Sequence, residues 1–132
     1  MCRYVLIHDA ARPLVTSDTL ERVVVEVRNG RGVVPALPVV DTLKTVDGGG
    51  HITSTVDRTG LWRAQTPQGF PREMILRAHE AALASGQDAT DDAALCEALG
   101  LEVVVVRGSE RAMKVTEEAD FARVDAWQRI LE

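Results

Sequence analysis

The chain has 132 residues, a formal net charge of −5, 45% hydrophobic residues and 27% charged residues. This length suits one domain with a sizeable core, and the composition is ordinary for a globular protein. The acidic balance argues against a general nucleic-acid surface, and no apolar run approaches the ~20 residues of a membrane span. Cys2 and Cys96 have neither metal-ligand spacing nor disulfide density, so we expect a cytoplasmic protein.

The first element is an unbroken apolar run over residues 4–7, which stops at a polar cluster. Such a run predicts a strand buried on both faces, as in a parallel sheet. Ligands of open α/β sheets bind just beyond the carboxyl ends of the strands, and His8, Asp9 and Arg12 lie at that place. From spacing alone, Asp9 and Arg12 are equally compatible with an ordinary ion pair on a surface loop.

A helix and a second strand follow. Ser17 or Asp18 suits the N-cap, apolar residues then recur at helical spacing, and Gly30 suits the end of the helix. Residues 33–40 predict another buried strand, although two prolines make it irregular or place it at the edge of the sheet. Strand, helix and strand together predict a βαβ unit.

A β-hairpin is predicted next. Residues 42–46 and 52–56 alternate and are rich in β-branched side chains, and an Asp-Gly-Gly-Gly turn at 47–50 separates them. The hairpin has few apolar anchors, and an isolated hairpin is marginally stable in water. We therefore expect it to need a partner surface, with a solvent-exposed flap as the alternative.

The remaining chain alternates strands and helices. Residues 60–65 predict a short strand and residues 66–71 a loop, before a helix that begins at Pro71 and ends near Ser85. Thr90 suits the N-cap of the next helix. Residues 101–106 predict the last strand, and a final helix follows.

Six motifs in order carry a family resemblance. They are His-Asp-Ala-Ala-Arg-Pro at 8–13, Asp-Thr-Leu-Lys at 41–44, Thr-Val-Asp-Arg at 55–58, Thr-Pro-Gln at 66–68, Thr-Asp at 90–91 and Lys-Val-Thr at 114–116. Together they resemble the 2-C-methyl-D-erythritol 4-phosphate cytidylyltransferases, in their C-terminal portion. The resemblance implies an α/β fold, the C-terminal part of a Rossmann-like nucleotidyltransferase sheet with helices on both faces and a protruding β-hairpin arm. Residues 1–132 would form one partial domain with the arm at 41–58.

The resemblance also implies a reaction and its residues. The reaction is transfer of CMP from CTP to 2-C-methyl-D-erythritol 4-phosphate, hereafter methylerythritol phosphate, with release of pyrophosphate. The implied catalytic residues are Asp9, Arg12 and Lys114, the implied substrate-binding residues are Thr42, Arg58, Thr66 and Thr90, and the implied nucleotide-binding residues are Asp9, Ala10 and Lys114. No residue is expected to ligate a metal, since Mg²⁺ would be carried by the CTP phosphates. A homodimer through the arm is implied as well.

Structural alternatives remain for several of these residues. Thr90 can be an N-cap, Arg58 can pair with Asp57 or Asp41, and Lys114 can be a solvated loop lysine. For His8 we expect a hydrogen bond to backbone and no catalytic role.

The chain also departs from the pattern that the resemblance implies. Family members carry an earlier βαβ unit with a glycine-rich loop for the CTP triphosphate, and glycines 48–50 in the hairpin turn do not suit that purpose. We therefore expect a truncated product, a fragment or one part of a split enzyme, with an open edge at strand 4–7. The alternative function is a non-catalytic dimerisation or phosphate-binding fragment. A nucleotidyltransferase acting on sugar phosphates is disfavoured by the arm together with the motif at 8–13.

Overall fold

The computed structural model describes residues 1–131 and has a mixed α/β fold, as predicted. The strands are β1 (Tyr4–Ile7), β2 (Gly32–Pro38), β3 (Leu43–Val46), β4 (Ile52–Val56), β5 (Trp62–Ala64), β6 (Gln68–Pro71) and β7 (Val103–Arg107). The helices are α1 (Ser17–Arg28), α2 (Arg72–Ser85), α3 (Asp92–Ala98) and α4 (Glu118–Leu131), with a short 3₁₀ turn at Glu110–Ala112. Within the described part of the chain, no helix is long and apolar enough to cross a membrane.

Strand β2 lies at the centre of a five-stranded sheet. It pairs antiparallel with β5 and β6 and parallel with β7. The prediction of a buried strand is confirmed, whereas the expectation that its prolines could place it at the edge of the sheet was wrong. A proline removes one donor from the ladder, but its carbonyl still accepts. The carbonyl of Pro35 does so from the N–H of Gln65 at 2.8 Å.

Strand β1 lies at one end of this sheet, where it pairs antiparallel with β6. Both β1 and β2 run antiparallel to β6, so they are parallel to one another but separated by that strand. The expectation of a strand buried on both faces was wrong, since Tyr4 is 43% and Leu6 42% exposed. Alternate side chains of a strand point to opposite sides, so Tyr4 and Leu6 lie on the same, exposed face of β1. Only the other face is covered.

Strand β6 lies where the sequence predicts a loop at residues 66–71. Its Pro and Gly residues are typical of turns, but here Gly69 permits close packing against α1. A Cβ atom at Gly69 would lie 2.6 Å from Cγ2 of Val27 and 2.7 Å from Cγ1 of Val23. The glycine therefore allows the helix to approach the sheet.

Two apolar clusters hold helices against opposite faces of the sheet. Against α1, Val23 and Val27 pack with Val33 of β2. Against α2 and α3, residues from both helices and the sheet form the larger cluster, namely Val34, Phe70, Ile75, Ala78, Ala93, Leu95 and Cys96. The core is thus divided between the two sides of the sheet.

The N-terminal caps of two helices differ from the predicted ones. Thr16 caps α1 by accepting from the N–H of Thr19 at 3.2 Å, so the expectation of Ser17 or Asp18 was wrong. Asp91 caps α3 by accepting from the N–H of Ala94 at 2.9 Å, so Thr90 is not the cap. An N-cap residue has an extended backbone, and Thr16 and Asp91 are the residues with that conformation directly before the two helices.

The other helix ends are closer to expectation. Helix α2 ends at Ser85, as predicted, and Gly86 follows it in the left-handed conformation with φ of 69°. Pro71 precedes α2 as its N-cap and is not its first helical residue. This difference is a single residue and leaves the position of the helix unchanged.

Strands β3 and β4 pair antiparallel in a separate two-stranded sheet. Every residue of β3 is exposed. In the turn, the Asp47 carboxylate accepts from the N–H groups of His51 and Gly49, each at 2.9 Å, and these bonds lower the pKa of Asp47. The turn is therefore held by its own side chain.

Candidate active site

A cavity of about 360 Å³ lies beyond the carboxyl end of β1. Five of the predicted site residues line it, and they come from four separate segments of the chain. They are Asp9 and Arg12 after β1, Thr66 before β6, Thr90 before α3, and Lys114 after the 3₁₀ turn. The fold thus brings together side chains from distant parts of the sequence, such as Asp9 and Lys114.

The Arg12 side chain is largely used within the protein. Its Nε donates to Oδ2 of Asp9 at 3.3 Å, and its Nη1 donates to the carbonyl of Ala112 at 2.7 Å. A longer contact of 3.5 Å joins Nη2 to the carbonyl of Ala64. The Arg12 side chain is 12% exposed and that of Asp9 is 40% exposed. Asp9 is therefore the more accessible of the two, and Arg12 holds the cavity wall together.

The segment containing Lys114 is attached to the loop after β1 on both sides of the lysine. Before it, Ala112 accepts from Arg12, and after it, the N–H of Val115 donates to the carbonyl of Ala11 at 2.8 Å. The Lys114 side chain is exposed on the cavity wall. Among residues 1–131 the structure gives its ammonium group no ion pair, so it adds positive charge to the cavity.

Thr66 is connected to the loop after β1 through both Asp9 and His8. Its Oγ1 accepts from the N–H of Asp9 at 3.0 Å and lies 2.9 Å from Nδ1 of His8. The other ring nitrogen of His8 lies 2.9 Å from the carbonyl of Arg12. His8 thus contacts backbone, as expected, and Thr66 has an ordered hydroxyl at the cavity.

Two buried glutamines position the walls of the cavity. Gln68, which is 3% exposed, donates from Nε2 to Oδ2 of Asp91 at 3.0 Å and accepts from the N–H of Ala93 at 3.1 Å. Gln65, which is 6% exposed, donates to the carbonyl of Ser109 at 2.9 Å and accepts from the N–H of the same residue at 3.1 Å. Gln68 belongs to the Thr-Pro-Gln motif, and this motif could have identified it as a residue of the cavity wall. For Gln65, the only signal in the sequence is a polar residue within an apolar segment.

The remaining predicted residues lie outside this group. Ala10 is exposed in the loop after β1 and does not line the cavity. Thr42 and Arg58 are exposed at the two ends of the hairpin and do not line it either. Arg58 donates to the carbonyl of Val40, and among the described residues it forms no ion pair with Asp57 or Asp41. The structural alternative for Thr90, a role as helix N-cap, is wrong, because Asp91 is the N-cap of α3.

The carboxylates around the cavity are already engaged by protein groups. Asp91 accepts from Gln68 and from the N–H of Ala94, and Oδ1 of Asp92 lies 2.9 Å from Nε2 of His79. Among residues 1–131, no three or more His, Cys, Asp or Glu side chains are grouped so that they could hold a metal ion. The cavity is thus lined by three carboxylates with protein partners, Asp9, Asp91 and Asp92, and also by Arg12, Lys114 and the hydroxyl groups of Thr66 and Thr90.

A second cavity of about 660 Å³ lies between α2 and α3. Its wall includes His79, Leu83, Asp88 and Leu95. It has no lysine or arginine among its lining residues, so its chemistry does not suit an anionic ligand.

A mixed α/β sheet with a cavity just beyond the carboxyl end of a strand defines the class of open-sheet α/β proteins, which bind their ligands at that place. The family model for IspD, 2-C-methyl-D-erythritol 4-phosphate cytidylyltransferase, matches residues 2–129, and the chain belongs to this family.

Individual relatives agree with this assignment. The chain is 52% identical to a bifunctional enzyme IspD/IspF of Rhodospirillum rubrum over 92% of the chain and 31% of that protein. It is 47% identical to a 2-C-methyl-D-erythritol 4-phosphate cytidylyltransferase of a Nostoc species over 89% of the chain and 52% of that protein. The crystal structure of that enzyme from Thermus thermophilus superposes with a TM-score of 0.90 and 38% identity, over 96% of this chain and 62% of that one.

The chain spans about half the length of the single-function relatives and about a third of the bifunctional ones. We expected a C-terminal portion of the family, and this was wrong for the longer relatives, because the chain aligns with their N-terminal portion. The order of the motifs shows where residues lie relative to one another. It does not show how many residues a relative has before the first motif or after the last one.

Proposed function

We propose that this chain acts in CTP-dependent cytidylyl transfer to methylerythritol phosphate, and that the cavity beyond β1 binds methylerythritol phosphate. The observation that supports the proposal is the meeting of Asp9, Arg12, Thr66, Thr90 and Lys114 around one cavity. The resemblance singled out these five residues for the same reaction. Membership of the family and the identity of its relatives point the same way.

The chemistry asks for positioning and positive charge. An oxygen of the methylerythritol phosphate group forms a bond to the α-phosphorus of CTP, the bond from that phosphorus to the bridging oxygen breaks, and pyrophosphate leaves with the electron pair. The attacking phosphate is already anionic near neutral pH, so no general base is required. In-line positioning and charge neutralisation then carry the catalysis. This requirement accounts for a cavity without a base–nucleophile pair.

Each residue has a proposed role in this scheme. Lys114 stabilises negative charge on the reacting phosphate, since an unpaired ammonium group interacts strongly with phosphate oxygens. The accessible Asp9 carboxylate accepts from hydroxyl groups of the ribose or the substrate, and Ala10 lies beside the nucleotide. Thr66 and Thr90 contact the substrate. Arg12 acts mainly by holding Asp9 and the segment before Lys114 in place.

Mg²⁺ would enter with the nucleotide phosphates. When bound, it would neutralise part of the triphosphate charge. The engaged state of Asp91 and Asp92 fits an ion that the nucleotide carries and does not fit a metal cage built by the protein. The free thiols Cys2 and Cys96 are compatible with a reducing compartment, and we place the protein in the cytoplasm.

We further propose a homodimer in which the arm at residues 41–58 serves the partner's cavity. Thr42 and Arg58 lie outside the cavity of their own chain, although the resemblance assigns both to the substrate. A hairpin that is exposed along β3 is suited to cover another surface. In such a dimer, Arg58 of one subunit would bind the phosphate of the substrate held by the other.

Mixing two variants tests this arrangement. Arg58→Gln and Lys114→Gln should each weaken binding of methylerythritol phosphate about 10-fold by calorimetry, because each removes one charge-assisted contact. Random reassembly of the two should restore about one quarter of the sites, because a mixed dimer contains one intact site. A mixture that binds methylerythritol phosphate as weakly as its parents would contradict the shared site.

NMR mapping tests the cavity itself. Addition of methylerythritol phosphate to the ¹⁵N-labelled chain should shift the amide signals of Asp9, Thr66, Thr90 and Lys114. Shifts confined to the cavity between α2 and α3, or no shifts, would contradict the proposal. A second titration with CTP and Mg²⁺ separates the two functions, because the non-catalytic phosphate-binding alternative requires binding of methylerythritol phosphate alone.

A further inference from the structure

A chain of hydrogen bonds runs from the backbone of the loop after β1 to the cavity. It begins at the carbonyl of Arg12, which lies 2.9 Å from Nε2 of His8. It continues from Nδ1 of His8 to Oγ1 of Thr66, again at 2.9 Å. A carbonyl can only accept, so Nε2 must carry the ring hydrogen of a neutral His8. Nδ1 is then an acceptor, and the hydroxyl of Thr66 donates to it.

This arrangement leaves one hydrogen-bonding position on Thr66. A threonine hydroxyl has one hydrogen to donate and two lone pairs with which to accept. The hydrogen is used by His8, and one lone pair accepts from the N–H of Asp9 at 3.0 Å. The second lone pair remains for the cavity that Thr66 lines. Towards a ligand, Thr66 is therefore an acceptor only.

We infer that His8 is a positioning residue that makes Thr66 select a hydroxyl group of the ligand and reject an anionic oxygen at that point. An anionic oxygen has no hydrogen to donate, and it would meet the lone pair of Thr66 without a compensating bond. The phosphate of the ligand is thereby directed to the cationic side of the cavity, where Lys114 lies. This inference rests on the proposed function for the identity of the ligand. The state of the His8 ring does not depend on it.

The tautomer of His8 tests the first step without any ligand. Two-bond ¹H–¹⁵N correlation spectra of the labelled chain distinguish the two ring nitrogens. They would be recorded at about pH 8.5, well above the value of about 6.5 at which histidine in model peptides titrates. The expected result is hydrogen on Nε2 and a bare Nδ1. Hydrogen on Nδ1, or averaging between both forms, would overturn the inference.

Two substitutions test the consequence for selectivity. In His8→Asn, the side-chain oxygen can replace Nδ1 as the acceptor for the Thr66 hydroxyl. In His8→Gln, the side-chain amide instead replaces the Nε2–H donor to the carbonyl of Arg12. The Thr66 hydroxyl then has no acceptor on residue 8 and is free to donate to the ligand. The readout is the affinity for methylerythritol phosphate divided by that for inorganic phosphate, both from calorimetry. The ratio should fall about 10-fold in His8→Gln, the size of one lost hydrogen bond, and should be kept in His8→Asn. Arg28→Gln in the last turn of α1, exposed and outside both the cavity and the arm, is the control and should leave the ratio unchanged.

The outcomes separate the two claims. Equal ratios in all variants would overturn the role of His8. Absence of methylerythritol phosphate binding by the unaltered chain would instead overturn the proposed function, and the tautomer would still decide whether His8 holds Thr66 as an acceptor. Amide spectra of each variant show whether it is folded, and an unfolded variant leaves the tautomer measurement as the deciding result.

Discussion

At the scale of single residues, Arg12 combines charge with a structural task. Its guanidinium contacts Asp9 and the carbonyl of Ala112, and this second bond helps to place the segment that carries Lys114. A lysine at this position keeps the charge but lacks the planar fork that reaches two partners. Arg12 is therefore important for the shape of the cavity as well as for its charge.

The substitution Arg12→Lys should weaken binding of methylerythritol phosphate about 10-fold, the effect expected from one lost charged hydrogen bond. Calorimetry measures the affinity, and the amide signal of Lys114 should move in the same variant. Arg28→Lys is the matched control, since Arg28 is exposed in the last turn of α1. Unchanged affinity in Arg12→Lys would show that the fork is not needed.

The two cysteines should differ in reactivity. Cys96 is fully buried, and burial together with the nearby Asp92 and Glu97 raises its pKa to about 11. The thiolate is the reactive form, and Cys2 is exposed. At pH 8, an aromatic disulfide reagent should therefore modify one thiol in the folded chain and a second only after unfolding. Equal rates for both thiols would contradict this result, and Cys2→Ser should abolish the rapid phase.

The motifs indicated which residues meet at one cavity better than the local chemistry did. Asp9, Arg12 and Lys114 line one cavity, although spacing alone was compatible with an ordinary surface pair and a solvated lysine. Gln65 was not predicted, because its partner Ser109 lies far away in the sequence. Such a contact is set by the tertiary fold and leaves no local pattern.

At the scale of elements, Gly69 determines how closely α1 approaches β6. The substitution Gly69→Ala would place a methyl group within 3 Å of both Val23 and Val27. Overpacking of this kind costs about 1–3 kcal/mol of unfolding free energy, which urea denaturation measures. Gly48→Ala in the hairpin turn is the control, since a Cβ atom there meets nothing within 4 Å. Equal stability of the two variants would show that the helix and sheet can separate freely.

The first turn of α4 depends on the Asp120 carboxylate. It accepts from the N–H groups of Thr116 and Glu117, from the hydroxyl of Thr116 and from Arg123, and these bonds lower its pKa well below the ordinary 3.8. A lowered pKa in the folded state means that the stabilisation is complete above about pH 4. It is lost as the pH falls below 3.8 towards the folded value.

The substitution Asp120→Asn should therefore lower the free energy of unfolding near pH 7. Between pH 4 and pH 2, the variant should lose less stability than the unaltered chain. Urea denaturation across this range measures both effects. Asp125→Asn, at an exposed position of the same helix, is the control. A variant with the same acid dependence as the unaltered chain would contradict this role of Asp120.

The helices were predicted more successfully than the central strands. Apolar periodicity and glycine stops indicated α1 and α2 because both signals are local. Strands β2 and β6 contain proline and glycine, which usually favour turns, and packing from both sides of the sheet overrides that preference. Neighbouring strands that pair with them come from distant parts of the sequence.

At the scale of the whole molecule, the sheet ends at β1. Among the described residues, β1 pairs with β6 on one side, and Tyr4 and Leu6 remain partly exposed. Its apolar sequence predicted burial on both faces, and residues 1–131 cover only one. An open strand edge of this kind is a surface at which other strands associate.

The most direct test of the account is calorimetric titration of the purified chain with methylerythritol phosphate. We expect binding at the cavity beyond β1, about 10-fold weaker in Lys114→Gln because one charge-assisted contact is lost, and unchanged in Arg28→Gln. Absence of binding, or equal affinity in Lys114→Gln and the unaltered chain, would contradict the assignment of this cavity to the phosphate substrate.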